Sequence, residues 1–159
     1  QNFPGDVQIR GTTFIKANTA TGNLAIGSNA GLNQQGASAV AIGNQAGQLS
    51  QNNYAVAVGR EAGCNAQGLY AVSVGYQAGE VAQADAGVAI GVNAGRNLQG
   101  SQATALGFSA GLNAQGAQGT AVGYNAGCGD QGADSTAVGR QAGQTSQGAS
   151  AVAVGFTRV

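Results

Sequence analysis

The chain has 159 residues, including 29 glycines and a single proline, and it contains no histidine, methionine or tryptophan. With no imidazole to act as base or ligand, any active site would fall to two cysteines and six carboxylates, which argues against an enzyme and against bound metal or cofactor. Six basic residues balance six acidic ones at 8% charged content, so there is no electrostatic footprint for nucleic acid or an anionic membrane.

Glycine does not recur every third residue, which excludes collagen, and 43% hydrophobic content argues against a solvated low-complexity chain. No apolar run approaches the length of a membrane span, so this segment is not expected to insert into a bilayer. No charged-then-apolar leader opens the chain, which starts at Gln1 and reads as a processed chain or a segment of a longer one.

Residues 1–22 stand apart from the rest of the chain. Phe3, Pro4, Phe14 and Ile15 are large where the repeats are small, and the segment is expected to cap or dock one end of the domain. From residue 23 to 159 the chain repeats. A glycine follows each short apolar run at Gly27, Gly43, Gly59, Gly75, Gly91, Gly107, Gly123, Gly139 and Gly155, always 16 residues apart. An Ala-Gly pair keeps the same period from Ala30-Gly31 to Ala142-Gly143. A glutamine does too, at Gln35, Gln51, Gln67, Gln83, Gln99, Gln115, Gln131 and Gln147.

In each of the nine copies the apolar run alternates large, small, large, as in Val40-Ala41-Ile42 and Thr104-Ala105-Leu106. That is the period of a β-strand, with mostly β-branched bulk, and glycines break every helical window. Each copy reads as a strand, a glycine-bounded turn, a short extended stretch near the glutamine and another turn. An invariant length implies an all-β fold in which each copy is one 16-residue coil of a parallel β-solenoid. Two aliphatic side chains per coil are expected to fill the interior, leaving a flat alanine and glycine face. A lone coil buries too little to offset its ordering entropy, so coils must stack and a second face must find a partner. After Gly155 the repeat stops at Phe156-Thr157-Arg158-Val159, which leaves an end to be continued or docked.

The unit Ala39-Val40-Ala41-Ile42-Gly43-Asn44-Gln45-Ala46 resembles the head repeat of trimeric autotransporter adhesins of the Yersinia-adhesin type. It is similar also to repeats in structural proteins of phages and large algal viruses. The resemblance covers roughly residues 23 to 155, with Thr in place of the first Val in three copies. It implies a left-handed parallel β-roll assembled as a homotrimer, acting as an adhesive head or spacer of an extracellular fibre on a cell or virion surface. The partner of such a head would be a host-surface protein or glycan. The alternative is a self-assembling extracellular filament whose subunits stack end to end.

Two columns carry the candidate sites. The position after each repeat glycine holds Arg60, Tyr76, Phe108, Tyr124, Arg140 and Phe156, an axial stripe of the residue types enriched at binding hot spots. It serves as a ligand surface or a subunit interface. The glutamine column reads as a structural amide ladder, one rung per coil, with contacts to sugars a secondary use. Tyr54 and Tyr70 share a further column.

Other features carry less. Gly127-x-Gly129-x-x-Gly132 matches a dinucleotide fingerprint, but its context is repeat glycines with no helix following. Asp130 with Asp134, or Glu61 beside Arg60, reads as solvated turn charge rather than an acid–base pair or a calcium site. Thr104, Thr120 and Thr136 form too short a rank for ice binding, in a column expected to be buried. Cys64 and Cys128 lie in one column four coils apart, roughly 19 Å, too far for an intrachain disulfide.

Overall fold

A computed structural model of the chain describes residues 7–9 and 12–156. Phe3 and Pro4 of the proposed cap and the tail at 157–159 lie outside the described residues. The chain is all-β, a parallel β-solenoid of eight complete 16-residue coils from 24 to 151, followed by the first strand of a ninth.

The first strand of each coil joins one long sheet: β3 (Asn23–Ile26), β4 (Val40–Ile42), β6 (Val56–Val58), β8 (Val72–Val74), β10 (Val88–Ile90), β11 (Thr104–Leu106), β12 (Thr120–Val122), β13 (Thr136–Val138) and β14 (Val152–Val154). Pairing is parallel with like residue on like, as in Ala41↔Ala57 and Ala105↔Ala121. A second sheet comprises β5 (Leu49–Gln51), β7 (Asn65–Gln67) and β9 (Val81–Gln83), and isolated bridges continue it, including Gln115↔Gln131. The corners stack as well: Gly59 N donates to Ile42 O at 2.7 Å, and Gly47 N to Ala62 O at 2.9 Å. Backbone bonds thus link neighbouring coils around the perimeter, which is why an insertion would be costly.

At the N-terminal end β1 (Val7–Ile9) and β2 (Thr12–Asn18) form an antiparallel pair, and β2 pairs antiparallel with β3, closing the edge of the long sheet. At the opposite end β14 pairs with β13 alone among the described residues, and Val152 and Val154 are 72% and 74% exposed.

The interior reverses the expected arrangement. The central strand residue, Ala in every coil but one, points inward and is buried, as are the alanines of the Ala-Gly pairs. The largest fully buried side chains are glutamines: Gln51, Gln67, Gln83, Gln99 and Gln115. The aliphatic residues flanking each central alanine face outward instead, half-buried or exposed, with Ile90 at 38% and Leu106 at 43%. The threonine column Thr104, Thr120 and Thr136 lies on this outward side and is only half-buried. The reason is lumen width. A coil of three-residue strands and tight corners leaves room for methyl groups and one extended amide, so branched side chains are excluded.

The glycines follow the same constraint. At Gly47 (φ 50°) an added Cβ would stand 2.7 Å from the Gln51 amide, so the Ala-Gly pair and the glutamine four residues later are one device: the glycine makes room for the amide.

Three non-glycine corners adopt left-handed backbone in seven of the eight complete coils, and two in the coil 120–135, among them Leu98 (φ 55°), Ala82 (φ 53°) and Tyr70 (φ 58°). Such a residue carries about 1–2 kcal/mol of backbone strain, whereas glycine there costs mainly unfolded-state entropy. Leu98 is 61% exposed, so Leu98→Gly is expected to stabilise the fold by about 0.5 kcal/mol. Leu106→Gly within β11 should do the opposite. Denaturant midpoints of the two variants check both signs.

Candidate functional site

The outward side of the long sheet is the candidate site. Each coil presents two outward strand residues, bordered by a corner residue before the strand and the residue after the repeat glycine. Along the axis these four columns make one face, apolar in its centre. Its leading border holds Tyr54, Tyr70, Ala86, Gln102, Gln118 and Asp134 in successive coils. Its trailing border is the stripe of Arg60, Tyr76, Val92, Phe108, Tyr124, Arg140 and Phe156.

The stripe is exposed and stacked. The rings of Phe108 and Tyr124 lie 5.3 Å apart and 11° from parallel, and Arg140 sits over Tyr124 at 5.8 Å and Phe156 at 5.2 Å. Arg60 covers Tyr76 at 5.6 Å, and Val92 separates the two groups. Tyr54 and Tyr70 stack at 5.0 Å on the other border. Coil spacing imposes this stacking, since side chains in one column repeat at about the distance at which rings stack offset. Ring faces are therefore occupied by neighbours in the same column, and the surface presents mainly ring edges, phenol hydroxyls and guanidinium groups.

The glutamines lie inside the coils. Each Nε2 donates to the carbonyl of the first outward strand residue of its own coil, from Leu24 O at 2.9 Å (Gln35) to Thr136 O at 2.8 Å (Gln147), and to a carbonyl four residues on. The amide thus spans its own coil, satisfying carbonyls that face the lumen. Rung-to-rung bonds link Gln51, Gln67, Gln83, Gln99 and Gln115 at 2.9–3.3 Å. The ladder does not run through all eight rungs. Every Nε2 reaches two carbonyls of its own coil; at Gln51, Gln67, Gln83 and Gln99 its two hydrogens are shared with the next Oε1 as well, whereas at Gln35, Gln115 and Gln131 it bonds the own-coil carbonyls alone. The Oε1 atoms of Gln51, Gln131 and Gln147 are left buried without a partner. Ser73, the one serine in the inward column, donates to Gln83 Oε1 at 2.7 Å. Gln51, Gln67, Gln83, Gln99, Gln115 and Gln131 are buried and walled off from a ligand, whereas Gln35 and Gln147 in the end coils are half-buried.

Two arginines and three carboxylates are engaged locally. Arg60 pairs with Glu61 at 2.9 Å, and Arg96 with Glu80 at 2.6 Å. Gln77 donates to Glu61 at 2.8 Å and, with Arg60 beside it, holds that carboxyl below its ordinary value against the opposing pull of burial. Asp85 accepts from Leu69 N at 2.8 Å. Asp130 and Asp134 are exposed, and among the described residues no three cysteines or carboxylates converge as metal ligands. Cys64 and Cys128 are free, and burial pushes both thiols up, away from the nucleophilic thiolate. A cavity of about 420 Å³ between β2 and the first coil is lined by Lys16, Asn18, Thr21, Asn23, Leu32 and Gln35, with no carboxylate or cysteine among its walls.

The outward facing of the aliphatic columns is the feature that alternation alone missed. The sequence did carry a signal: the central residue is Ala in eight copies and Ser in one, whereas its neighbours range over Leu, Val, Ile and Thr. Constant small size marks the confined side. No family model, curated protein or solved structure matches the chain.

Proposed function

We propose that the chain is a non-enzymatic structural module of an extracellular surface fibre, a rigid spacer and adhesive head that assembles as a homotrimer through the outward aliphatic face. The observation that carries this reading is the inverted repeat: the coil places alanine inside and lines Val, Ile and Leu, with Thr at one position in three coils, along its surface from end to end. Contiguous apolar surface on that scale marks a contact site. Nine strands at about 4.8 Å and four columns spanning three intervals of about 6.7 Å give a face of roughly 870 Å², close to the 800 Å² per partner of a stable interface. A second copy has the same spacing, so its residues interdigitate at every coil, which no partner of different period could match. The similarity of the repeat to trimeric autotransporter heads supports three chains. Light scattering on the purified chain is expected to give three times the 15.3 kDa chain mass, and a stable monomer at micromolar concentration overturns the reading.

A second reading rests on the unpaired outer edge of β14 with its exposed Val152 and Val154. Sheet edges template further pairing. If the chains stack end to end, electron microscopy will show filaments that lengthen with concentration.

A further inference from the structure

The two borders of the outward face differ, and their difference contains orientation. We propose that a second copy docks parallel and in register, so that Asp134 of one protomer forms an ion pair with Arg140 of its neighbour. This inference rests on the association proposed above and specifies its geometry.

Rotation about an assembly axis parallel to the solenoid brings the leading border of one copy against the trailing border of the next at the same height. Of the six pairs this creates from Tyr54 to Asp134, three are complementary, while Tyr70 meets Tyr76, Gln102 meets Phe108 and Gln118 meets Tyr124. Tyr54 meets Arg60, a cation–aromatic contact. Ala86 meets Val92, apolar on apolar, at mid-height. Asp134 meets Arg140, opposite charges. An antiparallel copy would instead set leading border against leading border and leave Asp134 and Arg140 without each other.

Both residues are available for this role. Arg60 and Arg96 have carboxylate partners in their own chain, whereas among the described residues Arg140 has the rings of Tyr124 and Phe156 beside it and no carboxylate. That stacking fixes the guanidinium while leaving its N–H groups unspent. Asp134 is exposed, held in a left-handed corner (φ 57°), and has no ion-pair partner among the described residues. The two cannot serve each other within one chain, because β13 and Gly139 lie between them and place them on opposite borders. Charge pairs at an interface rim fix register and exclude wrong orientations more than they add affinity, and here the apolar columns, which repeat at every coil, give no other means of choosing one register.

The test is a charge-swap cycle read by sedimentation of the full chain. Asp134→Arg and Arg140→Asp, which place like charges together, are each expected to raise the concentration of half-assembly by about tenfold or more. The double swap Asp134→Arg/Arg140→Asp should return it to within about threefold of the parent. Should a charge reversal impair folding, the Asp134→Asn and Arg140→Gln cycle must show the same coupling in milder form. Singles that assemble like the parent, or a double swap as weak as the weaker single, overturn the ion pair while leaving the association intact. A parent chain that stays monomeric overturns the association itself.

Discussion

Gly91→Ala is expected to destabilise the fold by about 3–5 kcal/mol. Gly91 has φ +129°, a backbone region that side-chain-bearing residues rarely enter, and a Cβ built there lies 2.5 Å from the carbonyl oxygen of Gly107 in the next coil. The obstacle is backbone held in the ladder, so it cannot swing aside, and the coils must part. Gly155→Ala is the control. It is also left-handed (φ +108°), but nothing among the described residues lies within 4 Å of its Cβ, so the local strain of about 1–2 kcal/mol remains. Chemical denaturation of the two variants separates the stacking clash from the strain; equal losses would contradict the coil contact.

Gln83→Leu should cost a similar amount, about 3–5 kcal/mol, although volume is nearly kept. The two Nε2 hydrogens of Gln83 are shared among Val72 O and Gly87 O, each at 3.0 Å, and Gln99 Oε1 at 2.9 Å, and its Oε1 accepts from Ser73 Oγ at 2.7 Å and Gln67 Nε2 at 3.3 Å. Leucine removes the donor to Gln99 Oε1, a donor to Val72 O and the acceptor of the Ser73 hydroxyl, while Gly87 O keeps Val72 N and Gln67 Nε2 keeps Val56 O and Ala71 O, and each buried group left unsatisfied costs about 1–3 kcal/mol. In the end coil, Gln147 is only half-buried and bonds Thr136 O and Ala151 O. Water can replace it there, so Gln147→Leu should cost about 1 kcal/mol. A Gln83→Leu loss no larger than that of Gln147→Leu would show that the amide is not structural.

The coil was legible in the sequence because its constraints repeat. Like residues stack on like every 16 positions, so the glycines of one column recur with the clash they avoid, and parallel register follows from period alone. Alternation in Val40-Ala41-Ile42 also showed that the two sides of the strand differ. Which side faces inward was not legible from hydrophobicity, because burial preference ranks Val and Ile above Ala, and the lumen overrides that ranking by size. The left-handed corners at Ala66, Ala82 and Leu98 were hidden for a related reason: no glycine or asparagine announces them, and the ladder bonds on either side impose the conformation. For the stripe, the column could be read from Arg60, Tyr76, Phe108, Tyr124 and Arg140, but the stacking that turns ring faces toward neighbours required the coil spacing.

Sedimentation of Val74→Asp beside the parent chain, with circular dichroism at the same concentration, tests the outward aliphatic face most directly. Val74 flanks the buried Ser73 on β8 and is itself half-buried at the surface of a single chain. The parent is expected to sediment as three chains, and Val74→Asp to shift toward one chain while keeping its β-sheet spectrum. A variant that sediments with the parent, or one that unfolds because the carboxylate has entered the core, would contradict association through this face.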